Sequence, residues 1–152
     1  MRQLDFQLAA IDREETKKKV EEALEKYRIM LLTQELDKLP KVTQSFSLVP
    51  PTNTNQFHSS TEDAAIANAE YEKERSEYIR KVSMAVNRLA YKERAILIRR
   101  YMTDDDLYDY QVYNELHMSE RTYHRHKSKA FYKLAFALRL EVYEEHEEVC
   151  GA

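Results

Sequence analysis

A single glycine, Gly151, and three prolines in 152 residues constrain this chain more than any other feature. Tight hairpins and β-bulges use glycine to reach positive φ, so their near-absence argues against an all-β fold. The same scarcity excludes a glycine-rich phosphate loop. Cys150 is the sole cysteine, which leaves neither an internal disulfide framework nor a multi-cysteine zinc site. No apolar run approaches the roughly 18 residues needed to cross a bilayer, and no signal peptide is recognisable at the N-terminus. The expectation is an all-α protein of the cytoplasm, with one domain or two small ones, that needs neither metal nor cofactor.

Charge sharpens this picture. The formal net charge of −3 gives no hint of nucleic acid, but the charge is segregated. Residues 1–79 carry a net −4, residues 80–140 a net +6, and residues 141–152 a net −5 from five glutamates. Such asymmetry is a partner signal that a whole-chain value hides. Within the positive block, Ser119–Arg139 holds Arg121, Arg125, Lys127, Lys129, Lys133 and Arg139 against Glu120 alone, with His124 and His126 beside them. The plain reading of a charge run is a solvated helix face, so the surrounding pattern has to decide.

That pattern is helical. Asp12 followed by Glu15 fits a capping box, and Val20, Leu24, Tyr27 and Leu31 form one apolar stripe that ends before Pro40. Residues 1–39 are therefore an N-terminal helical region, whose stripe can pack in cis on the next long helix or in trans on a second copy. Residues 40–60, polar and containing Pro50-Pro51, read as a linker that Phe46, Leu48, Val49 and Phe57 could pin to a helix. Residues 61–140 open with a long helix from Ser60 or Thr61, where Glu62 and Asp63 suit the helix dipole. Short helices at 92–102 and 108–116 follow, then a final helix from Ser119 to about Val142. Residues 141–152 form an acidic tail, which either solvates the terminus or lies over the basic helix when no DNA is bound.

The last two helices have the proportions of a helix-turn-helix, in which a short helix supports a second one aimed at the major groove. Val112, Leu116, Met118, Tyr123, Ala130, Phe131 and Leu134 are the expected inner set. That leaves Arg121, His124, Arg125 and Ser128 on one outward face, with Lys127 and Lys129 beside it. Arginine offers a bidentate fork to guanine, and His or Ser can donate to bases. Lysine suits phosphates, which set affinity and register without reading sequence. Ser119 at the helix start, with Thr122, is a further phosphate candidate. So are Arg99 and Arg100, although both also complement the end of their own helix.

The residues Lys92-Glu93-Arg94, Ile96, Arg100-Tyr101, Tyr110, Val112, Leu116, Met118-Ser119, Thr122-Tyr123, Arg125, Lys129-Ala130 and Lys133-Leu134-Ala135 resemble region four of sigma factors. They resemble more closely the ArpU family of phage-encoded transcriptional regulators. Ile11-Asp12, Thr16-Lys17, Val20, Leu24 and Tyr27-Arg28 look like that family's first helix. The resemblance covers most of the chain and is weakest at 40–60 and in the acidic tail. It implies a phage- or prophage-encoded regulator of late gene transcription in a Gram-positive host, read here as a sequence-specific DNA-binding activator, with Glu120, Arg121, His124 and Arg125 nearest the bases. Glu120 ranks below the arginines because it equally suits the helix dipole.

Competing readings are weaker. Asp104-Asp105-Asp106 with Asp109 suggests a metal, but consecutive carboxylates diverge, and an acidic loop capping the next helix is the simpler expectation. His117, His124 and His126 do not converge from a turn and a helix. His126 is expected to pack partly buried, and most of the tyrosines to line the core or its rim, with Tyr101 or Tyr132 near a phosphate. No nucleophile arrangement is recognisable, so the chain is not expected to be an enzyme. Partners are double-stranded DNA, RNA polymerase as a further candidate, and a second copy of the chain. Two other functions compete: a small-terminase-like DNA-packaging protein, and an adaptor binding RNA polymerase.

Overall fold

The computed structural model describes residues 10–51 and 62–144. It is an all-α fold of five helices with one small hairpin: α1 (Arg13–Leu32), β1 (Lys41–Val42), β2 (Leu48–Val49), α2 (Glu62–Asn87), α3 (Tyr91–Tyr101), α4 (Asp109–Glu115) and α5 (Glu120–Leu138). Asp12 caps α1 by accepting from the Glu15 amide at 3.1 Å. The reciprocal half of the expected capping box is replaced, because the Asp12 amide donates instead to Val142 O at 2.8 Å.

The apolar stripe of α1 packs in cis. Val20, Leu24 and Tyr27 are fully buried in one core with Val82 and Val86 of α2, Leu97 and Ile98 of α3, and Ala130, Leu134 and Ala135 of α5. Leu31 lies at the edge of that core. At the far end of α1, Arg75 of α2 donates to Thr33 O.

Two expectations are corrected. Residues 41–49, read as linker, form an antiparallel hairpin pairing Lys41 with Val49 and Val42 with Leu48. Its turn is reached without glycine because Phe46 adopts φ 50°. Leu48 is 2% exposed, and Asn87 of α2 grips its backbone from both sides, donating to Leu48 O at 3.0 Å and accepting from Leu48 N at 2.9 Å. Phe57 and the expected helix start at Ser60 or Thr61 lie outside the described residues.

The second correction concerns the end of α5, which stops at Leu138 and not near Val142. Arg139 adopts the left-handed conformation, and the amides of Arg139 and Leu140 donate to Phe136 O and Ala135 O, closing a Schellman motif. The chain then turns back to α1. Ile11 bridges Tyr143, Glu144 N donates to Ala10 O at 2.9 Å, and Val142 N donates to Thr16 Oγ1 at 3.0 Å. The expected acidic tail thus begins as a strand-like clasp on α1, and its remainder from residue 145 lies outside the described residues.

Candidate nucleic-acid interface

Helices α4 and α5 are joined by a short turn in which His117 takes φ 54°, a conformation that costs a residue with a Cβ and that glycine would adopt freely. Ser119 starts α5. Its Oγ accepts from Thr122 N at 3.3 Å and lies 2.9 Å from Thr122 Oγ1. A small second core sits under this corner: Ile96, Val112 and Tyr123 are fully buried, with Leu107, Tyr113, Leu116 and Met118 packed around them. Every inward residue expected of the two helices and their turn is buried or half-buried.

One carboxylate locks this corner together. Asp109 Oδ1 accepts from Tyr123 Oη at 2.7 Å, Lys127 Nζ at 3.0 Å and Arg100 Nε at 3.2 Å. It therefore ties α3, α4 and α5 at one atom. Burial pushes the Asp109 carboxyl up, but the tyrosine bond and the lysine and arginine charges outweigh it, so it lies below the usual carboxylate range. The same burial, and the bond to Asp109, push the Tyr123 phenol far above its ordinary value, so it stays protonated and donates.

Three of the cations expected at phosphates are engaged by carboxylates of the fold. Lys127 turns inward onto Asp109, its side chain only 13% exposed. Arg100 joins it at Asp109. Arg99 makes a two-pronged bond to Glu115 at 2.6 and 3.1 Å and a second ion pair with Asp105 at 3.0 Å. Each cation is held by a carboxylate that approaches only in three dimensions. Glu93, 3% exposed, likewise accepts from Lys133 at 2.8 and 3.0 Å while its Oε2 accepts from Ala90 N. Asp104–Asp106 does not cap α4. Arg28 of α1 instead donates to Asp105 O at 2.7 Å and pairs with Asp106 at 3.2 Å, while Gln111 accepts from Tyr108 N, just before α4, at 2.8 Å.

The outward set differs. Arg121, His124, Arg125, Ser128 and Lys129 are all exposed on α5, as is Glu120 at its first turn. Arg121, Arg125 and Lys129 form no ion pair among the described residues, while Glu120 approaches His124 at 4.0 Å. The face is therefore cationic and open. His126, one step round the helix, is half-buried; burial, then the charges of Arg125, Lys92 and Lys129, lower its pKa. Among the described residues no cluster of His, Cys, Asp and Glu could hold a metal ion, and no helix is long and apolar enough to cross a membrane.

A cleft of about 520 Å³ opens where the start of α1 passes α5. His124 and Ser128 of the exposed face line it, as do Lys129 and Tyr132. Across from them stand Arg13 and Lys17 of α1. The sequence assigned these two cations no role at a site. Their spacing of four residues on one helix face was the available signal, but nothing in the sequence placed that face beside α5.

Comparison with known proteins places the chain. It is 33% identical over 137 residues to an uncharacterized phage-related protein of Listeria innocua (Lin1259/Lin1739), covering 90% of this chain and 96% of that one. It is 34% identical over 105 residues to protein Gp66 of Listeria phage A118, covering 69% and 72%. No protein-family model matches it, and no solved structure matches it. The chain belongs to the family of the Listeria innocua phage-related protein.

Proposed function

We propose that the protein is a sequence-specific, non-enzymatic regulator of transcription that acts in the bacterial cytoplasm and binds double-stranded DNA through α5. In this reading α4 and α5 are a helix-turn-helix of the sigma region-four type, and the protein is an ArpU-like activator of phage late genes. The observation that carries the reading is the exposed face of Arg121, His124, Arg125 and Ser128, free of ion pairs with carboxylates of the core, on a helix whose opposite face is anchored by Tyr123, Ala130 and Leu134. A helix so anchored can enter the major groove as a rigid reader. The phage-related names of its relatives support the context. Two copies on paired half-sites would provide the affinity a single reading helix lacks.

Genomic footprinting of bound sites tests the assignment, with late promoters as the expected location. On a recovered site, Arg121→Ala or Arg125→Ala should cost about 1–3 kcal/mol of discrimination between bases. Lys129→Ala should weaken all duplexes alike. Unchanged DNA binding with lost RNA polymerase binding would mean the adaptor function instead. A many-subunit ring on packaging sites would mean the terminase-like one.

A further inference from the structure

We infer that the cleft between α1 and α5 is a second DNA contact, in which Arg13 and Lys17 hold the phosphodiester backbone beside the face presented by α5. The inference rests on the DNA-binding reading of α5 and extends it to a helix outside the helix-turn-helix. Its first support is continuity. His124 and Ser128 belong both to the exposed face and to the wall of the cleft, so a duplex seated on that face runs over the α1 rim. Its second is charge. Arg13, Lys17 and Lys129 are exposed there, and the one carboxylate lining the cleft among the described residues, Asp109, is already occupied by Tyr123, Lys127 and Arg100.

Rigidity is the third. The start of α1 is clasped by Val142 through Asp12 and Thr16, so the two cations stand at a fixed offset from α5 and lose little freedom on binding. Four residues of helix separate them by about 6 Å, far enough for each to take its own phosphate. Ile11, Phe131 and Tyr132 add apolar surface between the charges, which suits deoxyribose. A contact of this kind reads no bases, so its energy is the same on every sequence.

The test is a fluorescence anisotropy titration of the full chain against mixed-sequence duplexes over a series of NaCl concentrations. The double variant Arg13→Ala/Lys17→Ala should reduce the magnitude of the log K against log salt slope by about 1.8, at about 0.9 per phosphate lost, equally on every duplex. Its melting temperature should match that of the wild type, since both residues are exposed. The charge-conserving Arg13→Lys/Lys17→Arg variant should keep the full slope. An unchanged slope in the alanine variant, with Lys129→Ala still lowering it, overturns the second contact and leaves the α5 reading standing. A wild-type chain that binds no duplex overturns both. If the alanine variant binds DNA normally but no longer holds an octaglutamate peptide that the wild type holds, the cleft is a groove for acidic protein segments and the DNA contact is overturned.

Discussion

Asp109 shows what a single residue decides in this molecule. In sequence it stands near three other aspartates and looks like one more charge of an acidic loop. In the fold it is the common acceptor for Tyr123, Lys127 and Arg100, and it pairs with two of the cations of the positive block. The lowered pKa of its carboxyl has a definite sign for stability. A group whose folded value lies below its unfolded one stabilises the fold above the unfolded value, and loses that contribution as pH falls through the folded value. Asp109→Asn should therefore lower the unfolding free energy by about 1.5–3 kcal/mol at neutral pH, the usual worth of a hydrogen bond to a charged group. The gap to the wild type should close as the medium is acidified below the ordinary carboxylate range. Thermal melts of both proteins across that range check this, and a gap independent of pH would show that Asp109 acts as a spacer and not as an anion.

Elements differ in how far the sequence announces them. The start of α1, the turn between α4 and α5 and the inward faces of both helices follow from a cap residue and helical spacing, because those patterns are local. The hairpin at 41–49 is invisible to the same reasoning. It has no glycine, it is flanked by proline, and its stability comes from a residue about 40 positions away, since Asn87 satisfies both the amide and the carbonyl of Leu48. Asn87→Ala leaves those two partly buried groups without partners, at a cost of about 1–3 kcal/mol. The loss should be local, with amide exchange accelerated across β1 and β2 while α5 stays protected. Uniform acceleration through the whole chain would mean that the hairpin is integral to the main core. The end of α5 was equally hidden: helical periodicity continues to Val142, and only the left-handed turn at Arg139, with Leu140 resting on the core, stops the helix and sends the chain back to α1. The cationic face of α5 was legible by residue type, but which cations are spent inside the fold was not, because Glu93, Asp109 and Glu115 reach them through tertiary approach.

For the molecule as a whole, the question left open by the stripe on α1 was whether it serves an oligomer or a core. It serves the core: Leu24 is fully buried in the cluster that also holds Ala130 and Leu134 of α5. The α1 helix therefore positions the exposed face from behind, while its first turn flanks the same face from the side. Scaffold and interface are then one cooperative unit. Leu24→Ala should lower the unfolding free energy by about 2–5 kcal/mol, through lost burial and the cavity left behind. Loss of helix by circular dichroism and loss of the proposed duplex binding should share one midpoint on heating, since Leu24 shares its core with Ala130 and Leu134 of α5. A binding activity that outlives the melting of α1 would show that α3 to α5 fold on their own, and would reassign α1 from scaffold to appendage.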